Sequence, residues 1–365
     1  MLTLAVAIGI GRFAFTPILP MMQKDAGLSL AAAGWLASAN YVGYFIGALS
    51  AIWIRARSAA IVRGSLAAIA LLTAGMGVTE YPLAWLALRA LAGIASALAL
   101  VFGSAWVLRQ LMAMGSRRLG GVVFGGVGLG TALAGGLCLV FLQLEWSSDR
   151  AWIAMGAVAM LFTVTIWRGY AGKVAPVAAT EAVEPQRSSA HVRLILSYGC
   201  FGFGYIIPAT FLPAMARDVI ADPAVFGWAW PIFGAAALIS ALAAGWLSTH
   251  LTYRTLWIAA HFILAFGVAV PVVWPGIGGI ALSALCVGGT FMVATMAGMQ
   301  EARRVAPDNA ASLMAAMTAA FAIGQILGPV LVSIVAGDPR GMDLTLIAAS
   351  VVLTLGAMVL IRPEK

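Results

Sequence analysis

Two arginines stand where the chain offers them little water. Arg12 interrupts the apolar run GIGRFAFTPILP (9–20) and Arg89 lies within ALRAL (87–91), whereas the other basic residues and all thirteen acids fall in loops or near helix ends. A guanidinium presents five donors in a planar fork suited to a carboxylate or phosphate. At a bilayer centre a charge costs about 2.5 to 3.5 kcal/mol on insertion scales, so such a residue faces a bundle interior. Two buried cations without a buried acid point to recognition of an anionic or amphipathic solute. Catalysis would need a clustered nucleophile, acid–base pair or metal ligands. The spans hold no His-Glu-x-x-His, no Asp pair and one histidine, His261. His261 has either a proton-relay role or a structural one. Cys138, Cys200 and Cys286 sit singly in apolar runs, where cysteine behaves as a small hydrophobe, so neither a metal nor a disulfide framework is expected. No cofactor is implied.

Around these arginines, helical spacing places Arg12, Phe15, Thr16 and Leu19 on one face. Arg12 is about ten residues into its span, roughly 15 Å deep at 1.5 Å per residue. Its readings are an anion contact in a central cavity or a structural arginine bonded to helix-end carbonyls. Arg89, roughly 10 Å deep, is read as a coupling or network residue, with direct substrate contact as the alternative. Asn40 and Tyr44 stand four apart on a second span. In the second half, Phe201, Tyr205 and Leu212 share a face, with Pro208 freeing a carbonyl. Trp228, Trp230 and Phe233 could line the cavity or anchor the helix in the membrane. Gln325, in GQILGP (324–329), is a substrate contact or a polar tie in a packing seam.

The elements that must position these residues follow from composition. Of 365 residues, 62% are hydrophobic and 9% charged, which places the chain in a bilayer, where helices satisfy their own backbone groups. Apolar stretches near 2–23, 30–54, 60–79, 82–108, 119–143, 150–167, 193–215, 225–248, 255–273, 276–299, 310–336 and 343–361 predict twelve spans, an all-α membrane protein. Sorting Lys and Arg over twelve spans puts fifteen on the side of the termini and four, Lys24, Arg150, Arg217 and Arg340, on the other. The positive-inside rule then makes both termini cytoplasmic, and the net charge of +8 reflects topology rather than a nucleic-acid surface. Residues 1–23 read as a retained span, not a cleaved leader, and the missing basic flank suggests a short start.

Between the sixth and seventh spans, RGYAGKVAPVAATEAVEPQRSSAHVR is the longest polar stretch and reads as a cytoplasmic linker. It divides a six-helix half at 1–168 from another at 193–365, with the linker at 169–192. Sliding the chain by 193 residues sets Gly9 over Gly202, Pro20 over Pro213, Asp25 over Asp218, Trp35 over Trp228 and Trp53 over Trp246. At 194, ALRAL meets ALSAL (281–285). Parallel repeats of this kind bind solutes at the midplane between halves and alternate access by rocking.

With GIGRFAFTPILP, GLSLAAAGWLASANYVGYFIGAL (27–49) and GQILGP, the sequence resembles the major facilitator superfamily, in particular its YbfB/YjiJ-like branch. The resemblance implies the twelve-helix major facilitator fold and a secondary active transporter in the bacterial cytoplasmic (inner) membrane. Of the loop motif after the second span, Gly47 remains, Ala51 replaces Asp, and Arg55, Arg57 and Arg63 keep the basic character. Arg89 and Gly93 match the fourth-helix Arg motif, whose arginine is implicated in coupling in related proton-linked exporters. The fifth-helix antiporter motif is half present, with Gly126, Gly130 and Gly135 matching and Thr131 and Ala134 departing. The resemblance thus favours proton-coupled efflux of a small molecule by a monomer. A transporter-like sensor or scaffold is the alternative.

Overall fold

The computed structural model describes residues 1–51, 53–54, 58–113, 120–170, 189–307 and 310–361. Twelve helical elements cross in succession: α1 (Leu2–Asp25, interrupted), α2 (Leu30–Ser50), α3 (Ser58–Gly75), α4 (Pro82–Ala113), α5 (Gly120–Gln143) and α6 (Ser148–Ile166), then α7 (Ser189–Val219), α8 (Ala229–His250), α9 (Tyr253–Val273), α10 (Ile277–Val305), α11 (Ala310–Val335) and α12 (Gly341–Ile361). No strand occurs among the described residues. Eleven of the elements are long and apolar enough to cross a membrane by length and composition. The twelfth is α2, whose 21 residues include Ser38, Asn40, Tyr41 and Tyr44. Most of the expected linker, 171–188, lies outside the described residues.

Helix ends are fixed by short polar side chains. Ser29 Oγ accepts the Ala32 N–H at the start of α2, and Thr252 Oγ1 accepts that of Thr255 at the start of α9. The carboxylate of Asp25, at the end of α1, accepts from the backbone N–H of Ser148 and, at 2.8 Å, from its hydroxyl, which satisfies the first turn of α6. Gly27 makes the turn between α1 and α2 with φ +62°, a conformation that disfavours other residues.

The two groups of six helices repeat one packing scheme. In the first, α2 packs on α4, α3 on α4 and α6, and α1 on α5; in the second, α8 packs on α10, α9 on α10 and α12, and α7 on α11. Glycines allow the closest approaches, because lipid gives no hydrophobic drive for helix association and backbones must touch instead. A Cβ at Gly93 would collide with the Asn40 carbonyl, and one at Gly288 with the carbonyl of Phe233, the residue 193 places after Asn40. Between the groups, α2 meets α11, α5 meets α8, and α1 meets α7. Thr16 donates to the carbonyl of Ala209 at 3.0 Å, so two positions 193 apart meet on the pseudo-two-fold axis.

That last bond has a sequence cause. In a helix the Ala209 carbonyl would accept from residue 213, which is proline and has no N–H, so it is free for Thr16. Tyr41 and Thr210 hydroxyls (2.9 Å), Ser333 to the Ala31 carbonyl (2.9 Å) and Arg217 to the Pro20 carbonyl (3.2 Å) add to the seal between the groups. All lie toward the face opposite the termini or at mid-depth. On that same face a hollow of about 770 Å³ opens among the ends of α1, α2, α3, α4 and α6, bordered by Asp25, Glu80, Asp149, Trp85 and Trp152.

Candidate functional site

The first span is not the continuous helix its composition predicts. After Leu2–Leu4 the backbone widens into a π-helical segment, Ala5–Ile10, then passes through a turn at 11–14 before an α-helix resumes at Phe15. Gly11 N–H bonds Val6 O (2.9 Å) and Phe13 N–H bonds Ile8 O (3.1 Å), both five residues back, while Thr16 N–H reaches only three back, to Phe13 O (3.2 Å). Pro17 has no N–H for the Phe13 carbonyl, which takes Thr16 instead, and the Arg12 carbonyl is thereby released.

Arg89, from α4, fills that gap. Its Nη2 donates to the Arg12 carbonyl at 3.0 Å and its Nη1 to the Gly11 carbonyl at 3.3 Å. The guanidinium lies over the Phe15 ring, 5.0 Å from its centroid, and Arg89 is 2% exposed. Asn40 Nδ2 donates to the Arg89 carbonyl at 2.9 Å, fastening α2 to α4 at the same level. Arg89 therefore belongs to a network that holds the interruption of α1 in place.

Arg12 has a different environment. It is 4% exposed, and its guanidinium carbon lies 4.7 Å from the ring centroids of both Tyr41 and Tyr44 and 5.4 Å from that of Phe13. Nε and Nη2, which share one edge of the guanidinium, are buried without a hydrogen-bond partner. No carboxylate pairs with Arg12 or Arg89 among the described residues; ion pairs form elsewhere, as at Arg217–Asp218 and Arg304–Glu301. The two cations repel each other. An edge of two parallel donors is the geometry that binds a carboxylate bidentately.

Facing this cluster, the second group contributes rings. Tyr205, at the position equivalent to Arg12, stacks nearly parallel to Phe291 (5.7 Å, 4°) and Phe321 (5.6 Å, 13°), and it tilts on Phe201 (5.1 Å). The series continues through Phe233 to Trp230, which meets Phe13 edge-on at 5.9 Å. Tyr41, whose ring lies under the Arg12 cation, shares a hydroxyl hydrogen bond of 2.9 Å with Thr210 on the same helix as Tyr205. Gln325 Nε2 donates to the Tyr205 hydroxyl, while Gln325 Oε1, Asn40 Oδ1 and Trp230 Nε1 are buried and unpartnered.

Of the residues singled out in the sequence, Arg12, Asn40, Tyr44, Phe201, Tyr205 and Gln325 converge here. Phe15 lies under Arg89 and stacks on Trp152, and Thr16 bonds α7 at Ala209. Trp228 stands apart, 54% exposed before α8, as its counterpart Trp35 is 52% exposed on α2. With the exposed Trp53 and Trp246 they form two equivalent pairs at opposite ends of α2 and α8. Trp228 to Trp246 spans about 27 Å at helical rise, close to a hydrocarbon thickness. Gly93 is a packing glycine under Asn40. Arg55 and Arg57 lie outside the described residues.

Sequence reasoning missed Tyr41, Tyr198, Phe291 and Phe321; spacing by three or four from Phe201 was a signal for Tyr198 alone. It also placed no acid in a buried setting, yet Glu301, four residues from the end of α10, is 1% exposed and takes two bonds from Arg304. His261 is fully buried, with its ring nitrogens 3.1 Å and 3.3 Å from the carbonyls of Trp257 and Ser197.

Comparison with known proteins accords with this architecture. The chain superposes on a crystal structure of a mutant of the nucleoside transporter NupG with a TM-score of 0.73 at 17% identity, covering 99% of both chains. It superposes on a D-xylose-proton symporter with a TM-score of 0.76 at 14% identity, covering 99% of this chain and 96% of that one. These likenesses show the fold. No curated protein matches the sequence. The family model described as "Uncharacterised MFS-type transporter YbfB" matches residues 4–361, so the chain belongs to that family of multi-pass membrane transporters within the major facilitator superfamily.

Proposed function

We propose that this transporter moves a small organic solute whose anionic group is held by Arg12, with access alternating as the two six-helix halves rock about the α1–α7 contact. The observation that carries the reading is the Nε–Nη2 edge of Arg12, buried with no partner among residues that supply no carboxylate. Leaving buried donors unpaired is costly, and more so when they are charged. An anion at that edge offsets both the lost hydrogen bonds and the repulsion between Arg12 and Arg89.

The remaining assignments rest on sequence. The excess of Lys and Arg on the side of the termini supports a bacterial inner-membrane topology with both ends cytoplasmic. The half-preserved glycine motif of α5 favours proton-coupled export by a monomer. Arg89 acts in coupling through the backbone it holds. A thermal-shift screen of the purified protein against metabolite anions tests the central assignment, because a ligand stabilises the form it binds. An anion that raises the melting temperature of the wild type and not of Arg12→Gln supports it. Equal shifts in both proteins, or shifts with organic cations alone, would refute it.

A further inference from the structure

We infer that Tyr41 is the latch on the outer side of the Arg12 site, and that its hydroxyl bond to Thr210 is what breaks when the site opens toward the face opposite the termini. The pair acts within the rocking motion proposed above, on which this reading rests.

Tyr41 faces two ways. Its ring lies under the Arg12 cation, with 4.7 Å between centroid and guanidinium carbon, and its hydroxyl shares a 2.9 Å bond with Thr210 Oγ1 on α7 of the other half. Both residues are buried, at 2% and 0% exposure. The preceding residue, Asn40, ties α2 to the Arg89 carbonyl, so neighbouring residues of α2 bond to opposite halves. Thr210 in turn follows Ala209, whose carbonyl takes Thr16, and one short stretch of α7 receives bonds from both α1 and α2. The packing of α1 on α7 involves its outer segment, Phe15–Asp25. Arg12 lies inward of that segment along the chain, so the latch and the Thr16 bond stand between Arg12 and the outer face.

The chemistry of the pair suits a contact that must part. Thr16, Ser333 and Arg217 donate to backbone carbonyls across the halves, whereas Tyr41 and Thr210 bring two hydroxyls together, each able to donate or accept. Closed, they satisfy each other away from water; parted, each turns to water in the opened cleft. Such an exchange alters the balance by about one net hydrogen bond, small enough for both states to be populated. Parting also removes the bond that steadies the ring under Arg12. Enclosure of the Arg12 site and closure of the outer side are then one event.

The test places spin labels at Val78 and Val273, each 78% exposed on the outer side after α3 and at the end of α9. The full chain carries Cys138→Ala, Cys200→Ala and Cys286→Ala, and pulsed EPR reads the label separation in lipid nanodiscs without solute. Tyr41→Phe, which keeps the ring, and Thr210→Val, which keeps the shape, should each raise the ratio of long to short separations about fivefold, as loss of one net hydrogen bond gives. The double variant should raise it no further, since both changes remove the same bond. Tyr170→Phe, which removes a buried hydroxyl bond to Thr3 within the first half, should leave the ratio as in the wild type. An unchanged ratio in Tyr41→Phe with only a lowered melting temperature would make the hydroxyl a packing group and overturn the latch. So would effects of Tyr41→Phe and Thr210→Val that multiply, or a change in Thr16→Val but in neither of them, which would put the barrier at Ala209. Because no solute is present, each of these results leaves the anion reading of Arg12 to the thermal-shift screen.

Discussion

The first helices of the two halves occupy equivalent places, yet α1 is interrupted at 11–14 while α7 runs unbroken from Ser189 to Val219 through Pro208 and Pro213. Their partners differ accordingly. Interrupting α1 releases the Gly11 and Arg12 carbonyls, and the facing helix supplies Arg89 to bond them. Continuous α7 leaves no such pair, and the residue matching Arg89 at the 194 offset is Ser283, buried with its hydroxyl unpartnered. At the core positions the contrast is charge against ring: Arg12 in one half, Tyr205 in the other. One half has become a rigid charged clamp, the other an aromatic wall, and a solute site needs both an orienting group and a surface to pack on.

The comparison breaks most severely at Arg89. Arg89→Gln strands backbone carbonyls inside the bundle and should destabilise the protein by about 3 kcal/mol, read as a lowered melting temperature in detergent; Ser283→Ala should change it by less than about 0.5 kcal/mol. Next come the mirrored glycines. Gly93→Ala and Gly288→Ala each drive a Cβ into a facing carbonyl and should cost about 2 kcal/mol each. Gly289→Ala, with nothing within 4 Å of the added carbon, should be neutral in the same melting assay. A smaller effect belongs to the axis: Thr16→Val removes the bond to Ala209 and should cost about 1 kcal/mol, with faster labelling of cysteines introduced between α1 and α7. Smallest of all, Trp228→Ala should leave solute affinity within about twofold, since that ring stands among the exposed pairs.

Much of this architecture was legible in the sequence because the bilayer constrains it so strongly. Twenty-residue apolar runs have few alternatives to helix, and the 193-residue offset survives in Trp, Pro and Asp positions that composition alone would rarely align. Legibility failed where structure depends on hydrogen bonds between helices. Nothing in GIGRFAFTPILP distinguishes a helix continuing through Arg12 from one interrupted there; Pro17 removes one donor, and the outcome then depends on Arg89 arriving from α4. Helical spacing alone gives neither the Phe15 contact with Arg89 nor the Thr16 bond to α7. Tyr41 escaped notice for a related reason, since its contact with Arg12 is set by how α2 sits against the interruption and not by any spacing within α2. Trp228 looked like Trp230 in sequence, and only burial separates the exposed ring from the enclosed one.

Counterflow in proteoliposomes bears most directly on the claim that Arg12 binds the solute by its free edge. Vesicles loaded with an unlabelled anion that stabilises the wild type in the thermal-shift screen and diluted into trace label should accumulate label transiently with wild-type protein. Arg12→Lys, which keeps the charge but loses the fork, should slow this at least tenfold, and Arg12→Gln should abolish it with the protein still folded. Wild-type rates in both variants would contradict the account.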